Sequence, residues 1–86
     1  MQYLLIPFST ISILKNKNTI QIYDNLDTVA VWKKIHNLWI EQTNTGLDPI
    51  DNPQTIVIDI LEITQTKLKQ NQFKHAKKSI LRFFDL

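Results

Sequence analysis

Apolar and polar residues alternate through the first part of the chain. Thr10-Ile-Ser-Ile-Leu-Lys15 and Thr19-Ile-Gln-Ile-Tyr23 are rich in β-branched residues and largely alternate apolar with polar, which is the pattern of strands with one buried face. Between them lies Asn16-Lys17-Asn18, and asparagine tolerates the positive φ of a tight turn. These segments predict a β-hairpin with Ile11 and Ile13 on one face and Ile20 and Ile22 beside them on the partner strand. Tyr3 to Ile6 offers a third strand, its pairing limited by Pro7.

Beyond residue 25 the spacing changes. Val31, Trp32, Ile35, Leu38 and Trp39 recur at intervals of three and four, with Lys33, Asn37 and Glu41 opposite, so periodicity predicts an amphipathic helix over 26–43. Asp24 and Asp27 would serve its first turn and Gly46 its left-handed stop. Residues 46–53 then read as a connector marked by Asp48-Pro49 and Asn52-Pro53. Asn52 as N-cap with Pro53 at the first helical position starts a second helix. The β-branched content of Thr55 to Ile63 favours a strand, but Asp59, Glu62, Thr66 and Lys69 separate from Val57, Ile60, Leu61, Thr64 and Leu68 as two helical faces do. Residues 55–64 are therefore read as helix. Phe73, Ala76, Ile80, Phe83 and Phe84 form the apolar stripe of a last helix, after a break near Gln70 to Gln72. The expected fold is α+β: an N-terminal β-hairpin, or three strands, packed against two or three amphipathic helices.

Length bounds what this fold can hold. Eighty-six residues make a single domain, 1–86, with one core, burying only ~60% of the surface of the unfolded chain. That leaves little room for a separately shaped catalytic cleft. The chain has no cysteine, which excludes disulfides, thiolate nucleophiles and cysteine-ligated zinc and leans towards a cytoplasmic setting. Met1 to Leu14 is apolar, but no Lys or Arg precedes it and Pro7 interrupts it. It is also shorter than the roughly 20 residues a membrane span requires. It is read as structural, and no membrane association is expected.

Charge changes the picture more than composition. Residues 1–66 carry four lysines against seven acidic residues, a net of −3, whereas residues 67–86 carry six basic residues against Asp85, a net of +5. Lys74, Lys78 and Arg82 form an i, i+4 row on the last helix, with Lys77 beside it. Such a row fits phosphates, with salt-dependent affinity for nucleic acid, or an acidic protein surface. It fits equally a plain solvated helix face with cations near a helix C-terminus. Phe83 and Phe84 point about 100° apart on a helix, which makes both hard to bury and suggests an aromatic contact surface. The paired tryptophans Trp32 and Trp39 have their ordinary explanation in the core.

Catalytic patterns are missing. His36 and His75 have no partner at metal-ligand spacing. His75 and Ser79 lie one turn apart but lack a third group. Asp24, Asp27, Asp48 and Asp51 do not follow a calcium-loop spacing, and one glycine cannot build a phosphate-cradling loop. The expectation is a cytoplasmic, non-catalytic protein-interaction module without cofactor or metal: a subunit or regulator that binds another protein or itself. The alternative is nucleic-acid binding through the basic C-terminal helix. The expected contact residues are Lys74, Lys77, Lys78, Arg82, Phe83 and Phe84.

Overall fold

The computed structural model describes residues 1–85. Six strands are followed by two helices: β1 (Gln2–Leu5), β2 (Ile11–Lys15), β3 (Thr19–Asp24), β4 (Asp27–Ile35), β5 (Leu38–Thr43), β6 (Gly46–Ile50), α1 (Pro53–Thr64) and α2 (Gln70–Phe84). The strands form one antiparallel sheet in chain order, β1 to β6. The class is α+β-like, but the arrangement differs from a hairpin packed on two or three helices. Strand is the larger component.

The correction falls on residues 26–43, which form the β4–β5 hairpin rather than a helix. Thr28, Val29, Val31, Trp32, Ile35, Trp39 and Ile40 are residues that suit a pleated surface. The chain reverses at His36-Asn37, both with positive φ (51° and 66°), the backbone twist a two-residue hairpin requires. Lys34 pairs with Trp39 and Trp32 with Glu41, so the inner-facing residues keep strict alternation on each side of the turn. Asp24 and Asp27 do not cap a helix; they face each other across the β3–β4 turn, and Asp24 accepts a hydrogen bond from the Thr10 hydroxyl. The connector expected over 46–53 is mostly strand β6, and Gly46 (φ 142°) closes the β5–β6 turn instead of capping a helix.

The β2–β3 hairpin forms as the alternation predicts, with Ile13 opposite Ile22 and Asn16 Oδ1 accepting from the N–H groups of Asn18 and Thr19 at 2.8 Å. Asn52 caps α1 through its side chain, with Pro53 at the start of the helix. The break between the helices lies at 65–69, just ahead of the expected position.

One face of the sheet carries the core. Ile6, Ile11, Ile13, Ile20, Ile22, Ala30 and Trp32 meet Val57 and Leu61 of α1 and Ala76, Ile80 and Phe83 of α2. Trp32 is fully buried, and its indole N–H donates to Glu41 Oε2 at 3.0 Å. Trp39 and Ile50 border this cluster, where Lys34 Nζ stands 5.5 Å from the Trp39 ring centroid. Helix α2 runs along the β1–β2 hairpin. At one end the His75 ring meets Phe8 edge-on at 5.7 Å; at the other, Lys15 Nζ lies over the rings of Phe83 and Phe84.

Candidate interaction surface

Helix α2 turns Ala76, Ile80 and Phe83 inward, and spacings of four and three keep those three on one stripe. The opposite side is left with Lys74, Lys77, Lys78 and Arg82, all exposed. Arg82 sits in the last turn, where the helix dipole favours a cation. At the N-terminus the Lys69 backbone N–H is satisfied by Gln72 Oε1 at 3.0 Å. The four expected cations therefore share one solvated helix face.

The two phenylalanines do not form an exposed pair. Phe83 is 5% exposed and belongs to the core, while Phe84 is half-buried against it, the two rings 5.6 Å apart and nearly perpendicular. The i+3 step from Ile80 carries Phe83 inward, and Phe84 falls at the margin, where the Lys15 ammonium covers its ring at 5.2 Å. Neither ring is freely presented to a partner.

The charge asymmetry of the sequence carries over to the elements of the fold. Eight of the ten cations belong to β2, the β2–β3 turn, the interhelical segment and α2: Lys15, Lys17, Lys67, Lys69, Lys74, Lys77, Lys78 and Arg82. Seven of the eight acidic residues lie on β3 to β6, the turn before α1, and α1 itself, accompanied only by Lys33 and Lys34. Because strand order follows chain order, the acidic residues of β3 to β6 lie away from β1 across the sheet, whereas α1, with Asp59 and Glu62, packs in the same layer as α2, Glu62 close to Gln70 and Phe73. The β1–α2 side is basic and the β6 side is acidic.

Two sheet edges bound the molecule, and they differ. Ile6 N–H donates to the Ile11 carbonyl at 2.9 Å, so the even positions of β1 turn their polar backbone groups towards β2. By alternation those of Tyr3 and Leu5 point away from the sheet. On the far edge Thr43 and Gly46 close the β5–β6 turn, which leaves Leu47 and Pro49 as the outward positions of β6. Pro49 has no N–H to offer, and Asp48 puts a charge next to it; proline and charge are ordinary means of blunting an edge. β1 carries neither.

The sheet face turned away from the helices also exposes apolar side chains, among them Tyr3, Leu5, Val31, Ile35, Leu38 and Leu47. Sequence reasoning did not identify this face or the β1 edge, because both depend on which strands end up adjacent.

His36 stands exposed at the β4–β5 turn. His75 is likewise exposed and Ser79 half-buried one turn further along α2. Among the described residues no group of three or more His, Asp and Glu side chains is placed to hold a metal ion, and no helix is long and apolar enough to cross a membrane. A shallow depression beside Phe8 is lined by Thr64, Gln65, Thr66, Lys67, Leu68 and Gln72. Phe8 itself has φ 64° after Pro7, an unusual conformation for a bulky residue. Compared with known protein families, curated proteins and solved structures, the chain matches none.

Proposed function

We propose that the chain is a non-catalytic interaction module whose cationic β1–α2 side receives an acidic protein. The observation that carries this reading is the charge layout: Lys74, Lys77, Lys78 and Arg82 are exposed on one face of α2, a helix with no acidic residue of its own, while five of the eight acidic residues belong to β3 to β6 and the turn before α1. A field of this kind orients and accelerates encounter with a partner of opposite sign. The same polarity weakens attraction to a polyanion as a whole, because the acidic side opposes it and the net charge is only +2. Single-strand binders also combine their cations with exposed aromatic platforms for stacking bases, and on α2 the phenylalanines are drawn into or against the core.

The test is affinity capture from the host's lysate with nuclease present, comparing the wild type with a Lys74→Glu/Lys78→Glu variant. The proposal expects acidic proteins retained by the wild type, resistant to nuclease and lost in the variant. Capture that disappears with nuclease, together with direct binding of an oligonucleotide that falls steeply with salt, would establish the nucleic-acid alternative instead.

A further inference from the structure

From the geometry of the free edge we infer that β1 is a strand-addition site, taking an extended segment of the partner whose side chains alternate acidic and apolar. This rests on the acidic-partner reading above and adds the backbone mode of recognition to it. Three observations converge. First, the outward N–H and C=O groups of Tyr3 and Leu5 form the free hydrogen-bonding rim of a six-stranded sheet, and an added strand would satisfy them. Second, the two edges are protected unequally: Asp48 and Pro49 occupy β6, whereas Gln2-Tyr-Leu-Leu5 contains no charge and no proline. Third, the surroundings of β1 differ on its two sides. Tyr3 and Leu5 are 63% and 56% exposed on the face without helices, ready to meet apolar side chains of a neighbouring strand.

On the other side rises α2. Its His75 contacts Phe8 in the β1–β2 loop, and Arg82 lies seven residues on, two turns along the same side of the helix, with Lys78 between them. Carboxylates projecting from the added strand towards the helix layer meet these cations. The charge also decides between occupants. A second copy pairing β1 with β1 would bring two cationic α2 helices together on one face of a continuous sheet, with no acidic residue in either. An acidic strand meets no such repulsion.

The test uses the full-length chain, ¹⁵N-labelled, titrated at low ionic strength with acetyl-Val-Glu-Val-Glu-Val-Glu-Val-amide and with the same peptide carrying Lys in place of Glu. The glutamate peptide should shift the Tyr3 and Leu5 amides most, give cross-strand NOEs to β1, and weaken as salt rises. Leu5→Pro removes an outward N–H without touching a bond to β2 and should lower affinity at least tenfold; if it perturbs the remaining strands, a semisynthetic N-methyl group on the Leu5 amide replaces it. Lys78→Glu/Arg82→Glu should also lower affinity at least tenfold. Shifts confined to α2 would overturn strand addition and leave the acidic-partner proposal standing. Equal binding of both peptides would overturn the charge preference. Silence towards the glutamate peptide while an oligonucleotide shifts α2 would overturn both.

Discussion

Removing the Trp32 side chain tests whether the sheet's centre holds the fold together. Trp32 is fully buried, opposite Ile20 on β3 and Glu41 on β5, and its indole N–H is bonded to the Glu41 carboxylate. Truncation to alanine removes the largest fully buried side chain and should cost about 3–5 kcal/mol. At ~0.05–0.15 kcal/mol per residue, a domain of this size has roughly 4–13 kcal/mol in total, so Trp32→Ala sits near the threshold of folding. Trp32→Phe is the more measurable change. It keeps most of the ring but deletes the donor, and a hydrogen bond to a charged group contributes about 1.5–3 kcal/mol. The lower end applies here, because Glu41 is only half-buried. Glu41→Gln keeps an acceptor and should cost less than Trp32→Phe. Urea unfolding followed by circular dichroism gives each value, and a double-mutant cycle isolates the pair, with a coupling of about 1 kcal/mol expected. Trp39 is the internal control: half-buried beside Lys34, it should cost about 1–2 kcal/mol on truncation, below the range for a fully buried ring. A loss of less than about 1 kcal/mol for Trp32→Ala, or an equal loss for both tryptophans, would refute the assignment of Trp32 to the inner face.

Phe83→Ser should destabilise by about 3 kcal/mol or more and Phe84→Ser by clearly less, since only the first ring is in the core; equal thermal shifts would contradict this. Far-UV circular dichroism should report more strand than helix, and a helix-dominated spectrum would restore a helix over 26–43. Asn37→Gly should stabilise the β4–β5 turn by a few tenths of a kcal/mol, whereas Asn37→Val should destabilise it by about 1–2 kcal/mol; a harmless valine would remove the positive φ. Lys74→Glu/Lys78→Glu should change unfolding free energy by no more than about 0.5 kcal/mol per site, so any loss of partner capture reports the surface and not the fold.

The β2–β3 hairpin and the start of α1 were readable because each is written locally, in alternation flanking asparagines and in an Asn-Pro pair. The face of α2 was readable for the same reason: Ala76, Ile80 and Phe83 need only helical spacing to share a side. The β4–β5 hairpin was not. Partners across a two-residue turn stand three residues apart, as Ile35 and Leu38 do, and the next pair stands five apart. The three- and four-residue intervals arise instead because both faces of the hairpin carry apolar residues: Val31, Ile35 and Leu38 on the outer face interleave in sequence with Trp32 and Trp39 on the inner one. The turn at His36-Asn37 lacks the glycine that usually announces positive φ. The β-branched and aromatic content of the segment was the signal that should have outweighed periodicity. The cationic row of the candidate surface was legible from α2 alone, but the β1 edge was not, because an edge is defined by what fails to pair with it.

Strand order that follows chain order has a consequence for synthesis on the ribosome. Every strand finds its neighbour as soon as it emerges, so the sheet can assemble through local contacts, the kind that favour rapid folding. The isoleucine face, however, has no cover until Pro53–Thr64 and Gln70–Phe84 have followed. At translation rates of about 5–20 residues per second, those last segments take on the order of seconds to appear. Throughout that interval the nascent sheet is apolar on both faces and open at β1. Stalling or truncation near Ile50 would release a polypeptide primed for intermolecular pairing, the vulnerability for which chaperones at the exit tunnel exist.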